Sequence, residues 1–306
     1  MNAYIAQRTM QMVPVLLGIS LIVFVLLRAT GDPVRLMLPD DATQAQVEQL
    51  REHLGLNQPL IVQYGLFLRN MAVGDFGVST RYNNQPALPI VLERLPATAL
   101  LGGAALLVAL AISIPAGVLA ATYHSRWQDY STTTMAILGQ AMPNFWLGLM
   151  LILLFSVHLQ WLPVSGRGTW AHLVLPALTL GTALAAMLTR LLRSGLLEVL
   201  RQDYIRTARA KGVVERVVLM KHGMRNALLA YVTVLGLQVS NLLAGAVVTE
   251  QVFAYPGIGL LAIQAINARD MALVQAIVIV ASLIVMVVNL LVDVLYGLID
   301  PRIRYA

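Results

Sequence analysis

Apolar residues in this chain come in long unbroken runs rather than in alternation. Six runs stand out, roughly Thr9–Leu27, Thr98–Thr122, Thr134–His158, His172–Leu192, Ala227–Thr249 and Ala272–Ile299. Each reaches the length of about 20 residues that a helix needs to cross a bilayer. Pro115 and Pro143 fall inside two of them. A span tolerates proline where neighbouring helices satisfy the freed backbone groups. The pattern predicts an all-α polytopic membrane protein with six transmembrane helices. A signal peptide competes for the first run, but its apolar region is shorter and a small-residue cleavage site follows it. Here Arg28-Ala29-Thr30-Gly31-Asp32-Pro33 follows, so an uncleaved span is favoured.

Between the first two runs the pattern changes. Residues 31–94 carry Asp32, Arg35, Asp40, Asp41, Glu48, Arg51, Glu52, Arg69, Asp75, Arg81 and Glu93, and they read as a soluble insertion. Thr43 and Gln46 have the spacing of a capping box. Val47, Leu50 and Leu54 then share a helix face, and Gly55 is positioned to stop that helix. Pro59, Gly74, Gly77, Pro86 and Pro89 punctuate the remainder as turns. Small residues at Gly102-Gly103-Ala104-Ala105 and Gly181-Thr182-Ala183 suit close helix approach.

Composition supports the membrane reading. The chain is 58% hydrophobic and 12% charged, against about 45–50% and about 25% in soluble domains. The net charge of +6 raises nucleic acid as a partner. Its distribution answers otherwise. Six spans put both termini on one side. With the N-terminus inside, inner segments hold Arg8, Arg126, Arg190, Arg193, Arg201, Arg206, Arg209, Lys211, Arg216, Lys221, Arg225, Arg302 and Arg304, while the short outer loops hold only Arg167 and Arg269. That is the positive-inside asymmetry, N-in and C-in. The chain has no cysteine, which excludes disulfides and thiolate chemistry. His53, His124, His158, His172 and His222 show no metal-ligand spacing on one face.

The most basic stretch lies between two runs: Asp203-Tyr-Ile-Arg206-Thr207-Ala208-Arg209-Ala210-Lys211-Gly212, continuing to His222-Gly-Met-Arg225-Asn226-Ala227. Asp203 is placed to cap a short helix, Arg209 and Lys211 suit its negative end, and Gly212 ends it. Charge alone leaves open a loop that only obeys the positive-inside rule. The residue order adds more. The string Thr207–Gly212 with His222–Ala227 resembles the cytoplasmic "EAA" loop of binding-protein-dependent ABC importers, in the version of the peptide/nickel permease family. Further strings in family order extend the resemblance over the whole chain: Gly31-Asp32-Pro33, Leu54–Leu60, Gly74-Asp75-Phe76-Gly77, Leu95-Pro96-Ala97-Thr98, Met142-Pro143-Asn144-Phe145-Trp146 with Trp161-Leu162-Pro163, Phe253–Gly259, and Asp300-Pro301-Arg302. Ala230 departs from a common proline, and a straighter start to the fifth span is expected from it.

The resemblance implies a pore subunit in a bacterial inner membrane. Its expected partners are a second permease subunit, two cytoplasmic ATPase subunits that carry the ATP and Mg, an extracytoplasmic solute-binding protein and the lipid bilayer. It implies residues 1–30 as the first span, 31–94 as an extracytoplasmic insertion meeting the binding protein, and 95–306 as a five-helix core with a coupling loop at 195–226. Asp203, Tyr204, Arg206, Thr207, Ala208, Arg209, Ala210, Lys211, Gly212, His222, Arg225 and Asn226 are the expected ATPase-coupling residues. The chain itself has no phosphate loop, so ATP hydrolysis falls to a partner, and no cofactor or metal is expected on it.

Polar groups inside spans mark a pathway by default. Asn144, Gln238, Asn241, Glu250, Asn289 and Asp293 are the candidates. An interhelical hydrogen bond competes for Gln238 and Asn241, simple solvation for Glu250, and a loop arginine for Asp293. Short peptides are the leading cargo, with nickel or a metal chelate as the alternative. An intramembrane serine protease lacks a base at the depth of Ser113, Ser156, Ser240 or Ser282. A secondary carrier would call for inverted repeats and interrupted helices, and the sequence shows neither.

Overall fold

The computed structural model describes residues 2–29, 43–53 and 57–299. The strings at 31–33, 54–56 and 300–302, the proposed stop at Gly55, and Arg302 and Arg304 lie outside them. The described chain is almost entirely helical: α1 (Asn2–Ala29), α2 (Gln44–His53), α3 (Leu60–Ala72), α4 (Ala87–Thr122), α5 (Trp127–Ala141), α6 (Asn144–Leu151), α7 (Ala171–Leu200), α8 (Asp203–Ala210), α9 (Glu215–Val217), α10 (Met224–Val252), α11 (Ile258–Asn267) and α12 (Met271–Ile299). Wider π turns extend α6 through Ile152–His158 and fill Val218–Gly223 before α10. One short hairpin, β1 (Val78–Ser79) with β2 (Gln85–Pro86), interrupts them.

Four helices are long and apolar enough to cross a membrane, over Ala6–Leu26, Ala87–Thr122, Ala171–Leu200 and Met271–Val294, and the number is six if each of two bent pairs is one span. The first pair corrects the expected third span. That span is not one rod over Thr134–His158. It breaks between α5 and α6 with a bend of 104°. Proline drives the preceding residue out of the helical region, and Met142 sits at ψ 126 immediately before Pro143. The fifth span also differs from its expectation. It opens on the π turn, and α10 bends by 51° between Ala230–Leu242 and Ala244–Val252. Interrupted helices are therefore present, and their supposed absence carries no weight against a carrier. The helix that carries the second apolar run starts earlier than Thr98: α4 runs unbroken from Ala87.

The chain divides into two compact units, Met1–Pro96 with Leu260–Leu290, and Ala97–Gly259 with Leu291–Ala306. In the first, Tyr64 and Phe67 of α3 pack on Phe24 of α1, with ring centroids 5.3 and 5.9 Å away. Thr43 and Gln46 form the expected capping box at α2: the Thr43 amide donates to Gln46 Oε1 at 2.9 Å and the Gln46 amide to Thr43 Oγ1 at 3.4 Å. Buried Asp270 precedes α12 and accepts from Ser79 Oγ, from the Arg81 amide at 3.2 Å and from the Leu273 amide at 3.1 Å.

In the second unit, α4 and α7 carry the core. Ala97, Leu101, Ala105 and Ala109 repeat every four residues and are fully buried, as are Leu188, Leu192 and Leu196. Their crossing is tight at Gly181, where a Cβ would come 2.6 Å from the Ala105 carbonyl oxygen. Gly102 and Gly103 contribute nothing to it, since a Cβ on either would meet no atom within 4 Å. Exposed Trp127 and Tyr130 ring the start of α5, and exposed Trp161 and Trp170 the loop before α7. Tryptophan and tyrosine are enriched at membrane–water interfaces.

Candidate functional site

Helix α8 hangs on the end of α7 through the two-residue turn Arg201-Gln202. Only Ile205 is buried along it, completely, whereas Asp203, Arg206, Ala210 and Lys211 are exposed. Its start corrects one expectation. The N-cap is Gln202, which makes no side-chain cap bond, and Asp203 is the first helical residue. The Asp203 charge still suits the positive end of the helix. Its end is as expected and can be specified further. Gly212 takes φ +75°. The Gly212 amide donates to the Arg209 carbonyl at 2.9 Å and the Val213 amide to the Ala208 carbonyl at 3.2 Å. This is the Schellman arrangement, which needs a left-handed residue where Gly212 stands.

Two further contacts fix the loop. Arg209 donates through Nε and Nη2 to the Glu215 carboxylate at 3.0 and 2.6 Å. This bond holds the Glu215 carboxyl below its ordinary value. Asn226, in the first turn of α10, donates to the Tyr204 hydroxyl at 2.6 Å. Thr207 bonds back to the Asp203 carbonyl at 3.0 Å. His222 lies half-buried in the π turn, and Arg225 is exposed at the start of α10. The predicted loop residues are thus brought together as a small basic helix fastened to two long helices.

Behind α8, α7 is clamped to α5. Arg193 donates to Asp129 from Nε at 2.5 Å and Nη2 at 2.8 Å. The Ser125 amide adds a bond at 3.0 Å, and the His124 ring stands 3.0 Å away. The Asp129 side chain is 3% exposed. The sequence gives no sign of this clamp, because the charge partner of Asp129 is 64 positions downstream.

The pathway candidates separate. Gln238 and Asn241 bond to each other at 2.9 Å along one helix, not across two. Gly245, one turn on, is approached by the Asn144 amide from the start of α6. The 51° bend falls between Asn241 and Gly245, so Asn144 stands against the segment Ala244–Val252, whereas the Gln238–Asn241 pair lies on Ala230–Leu242. Asn289 is exposed on α12 and Asp293 is half-buried. Glu250 does not belong with them and is not solvated. It is fully buried. Thr98 donates to its carboxylate at 2.7 Å, and Thr98 in turn accepts from the Ile258 amide at 2.8 Å. The carboxylate packs on bare Gly257, where a Cβ would collide with it, and on Gly259. Two of the strings singled out in the sequence, Leu95–Thr98 and Phe253–Gly259, meet at this carboxylate. Among the described residues no three acidic or histidine side chains gather closely enough to hold a metal ion.

Residues 113–305 match the family described as binding-protein-dependent transport system inner membrane component, and residues 1–102 match the N-terminal region of such membrane components. The chain is 45% identical to the oligopeptide transport system permease protein AppB of Bacillus subtilis, over 100% of both chains. It is 41% identical to the glutathione transport system permease protein GsiC of Escherichia coli K12, over 99% of both. A solved structure of the MetNI methionine ABC transporter in inward facing conformations superposes with a TM-score of 0.60 at 16% identity, covering 69% of this chain and 96% of that one. The last likeness concerns the fold. The chain belongs to the family of binding-protein-dependent transport system inner membrane components, and it is a multi-pass inner-membrane permease subunit of an ABC transporter rather than an enzyme.

Proposed function

We propose that this chain forms one half of the pore of an ATP-driven importer of short peptides, with α8 as the helix that engages an ATPase subunit. The observation that carries the coupling role is the build of α8: anchored by Ile205, fastened to α7 and α10, and presenting Arg206, Ala210 and Lys211 outward. A free surface loop would need no such fastening. Within it, Asp203, Tyr204, Thr207, Arg209, Gly212 and Asn226 shape the helix. Arg206, Ala208, Ala210, Lys211, His222 and Arg225 belong to the surface offered to the ATPase. The remaining partners are a second permease subunit, a second ATPase and an extracytoplasmic binding protein, with ATP and Mg on the ATPases. Residues 31–94 serve as the extracytoplasmic insertion and 95–306, with the loop 195–226, as the transport core.

Peptide cargo is supported by the names of the full-length relatives, an oligopeptide and a glutathione permease. Asn144, Gln238 and Asn241 offer amide groups, which match a peptide backbone as donors and acceptors. The test is uptake by the complete complex in liposomes, comparing a labelled dipeptide with labelled nickel–histidine, with and without ATP. ATP-dependent dipeptide uptake is expected. Nickel–histidine uptake alone would overturn the cargo assignment while leaving α8 in its role.

A further inference from the structure

With the N-terminus inside, α1 carries the chain outward, so the hairpin β1–β2 before α4 lies on the outer side. Its tip is polar. Thr80, Arg81, Asn83, Asn84 and Gln85 are all exposed, and Tyr82 is half-buried. Asn83 takes φ +50° and Asn84 φ +58°, left-handed values that asparagine tolerates better than most side chains. The Asn84 amide donates to the Ser79 carbonyl and the Gln85 amide to the Tyr82 carbonyl, both at 3.0 Å.

The base of this hairpin is fastened to two spans. On one side it runs straight into α4, whose first residue Ala87 donates its amide to the Gly77 carbonyl at 3.0 Å. On the other side, buried Asp270 divides its carboxylate. Oδ1 accepts from the Leu273 amide at 3.1 Å, the bond of an N-cap to the third residue of its helix. Oδ2 accepts from Ser79 Oγ and from the Arg81 amide at 3.2 Å. Ser79 Oγ itself accepts from the Tyr82 amide at 3.2 Å, so the bonds continue from the tip to the start of α12. Arg269, immediately before Asp270, holds φ +52°, a strained conformation for a residue with a side chain. Apolar packing would hold a hairpin without the cost of burying a carboxylate. Three directional bonds to one carboxylate fix instead how the hairpin is oriented on α12.

We propose that the tip of this hairpin receives the extracytoplasmic binding protein, and that Asp270 makes the hairpin and the outer end of α12 move as one piece. Docking is then felt directly by the spans. The Asn83 and Asn84 amides and the Arg81 guanidinium suit a polar protein surface. Asp270 is a positioning residue, acting through the hairpin. The inference rests on the importer reading, in which a binding protein alights on the outer face.

The test is ATP hydrolysis by the complete complex in liposomes, titrated with binding protein loaded with a dipeptide. The half-saturating concentration and the maximal stimulation are read separately. Asp270→Asn keeps the α12 cap, since asparagine caps a helix as well as aspartate, but its amide nitrogen cannot accept from Ser79 and Arg81. Ser79→Ala removes one bond and leaves the cap untouched. Both should keep basal hydrolysis and lower the maximum rather than shift the half-saturating concentration, Asp270→Asn more strongly. Asn83→Gly with Asn84→Gly preserves the left-handed backbone and removes the tip amides. It should raise the half-saturating concentration, about fivefold for each interfacial hydrogen bond lost, and leave the maximum in place. A maximum in Asp270→Asn equal to wild type would overturn the role of Asp270. An unchanged half-saturating concentration in the glycine variant would overturn the docking site. A wild type that the loaded binding protein does not stimulate would overturn the importer reading, and this inference with it. The absence of cysteine allows a second measurement, with nitroxides at Asn84→Cys and Ala268→Cys in a complex whose other subunits lack reactive thiols. A narrow spacing that docking leaves unchanged is expected, broadened by Asp270→Asn. A broad spacing with Asp270 in place would contradict the proposal.

Discussion

Replacing Arg193 by Ala removes the clamp between α7 and α5 and leaves Asp129 buried without its charge partner. The carboxylate loses bonds of 2.5 and 2.8 Å. It keeps the Ser125 amide at 3.0 Å, the Thr133 hydroxyl at 3.3 Å and the His124 ring at 3.0 Å. Breaking a buried pair from one side costs about 3–5 kcal/mol. The three retained groups place this case at the lower end, about 3 kcal/mol. For a chain of this size that is a fall in melting midpoint of roughly 6 °C. Asp129→Asn combined with Arg193→Gln leaves no buried charge and should recover most of the loss. The assay is thermal unfolding of the purified complex for wild type, Arg193→Ala, and the cycle of Asp129→Asn, Arg193→Gln and their double variant. Because α8 hangs directly on α7, uptake per ATP hydrolysed should fall with the single variants and return with the double. An unchanged midpoint in Arg193→Ala, or strictly additive effects in the cycle, would refute the reasoning.

Gly257→Ala drives a methyl into the Glu250 carboxylate; overpacking of this kind costs about 1–3 kcal/mol, to be read as a lowered melting midpoint, and a midpoint equal to wild type would remove the close contact. The Glu215 carboxyl is held below its ordinary value of 4.5 mainly by the Arg209 hydrogen bond. A depressed carboxyl stabilises the folded loop above that ordinary value, and the contribution is lost as pH falls through the folded-state value. Amide exchange at 209–217 should therefore be slow at neutral pH and accelerate below pH 4.5, while Glu215→Gln should exchange fast at both.

What the sequence revealed follows the range of the forces involved. Thr43 with Gln46, and Gly212 as a left-handed stop, were legible because the groups that satisfy them are within a few residues. The spans were legible because the bilayer imposes its length on each run separately. The break at Pro143 was not, since whether neighbours accommodate a proline in a span is decided by packing. Glu250 was misjudged for the same reason: its partner Thr98 is 152 positions away, and the end of a span offers water as an equally plausible partner. Asp203 missed the cap position by one residue, because capping depends on the dihedral of Gln202 rather than on residue type alone. The loop 203–227 combined both cases. Its helix was legible locally, whereas the Tyr204–Asn226 fastening required the fold.

The central claim is that α8 transmits ATPase motion to a peptide pore. The direct measurement is dipeptide uptake per ATP hydrolysed in proteoliposomes with Arg206→Glu and Lys211→Glu together, both exposed and outside the Arg209–Glu215 and Tyr204–Asn226 contacts. The account predicts that the spans remain inserted and the complex keeps its second permease subunit, while uptake per ATP collapses. Uptake per ATP equal to that of the unaltered complex would contradict it.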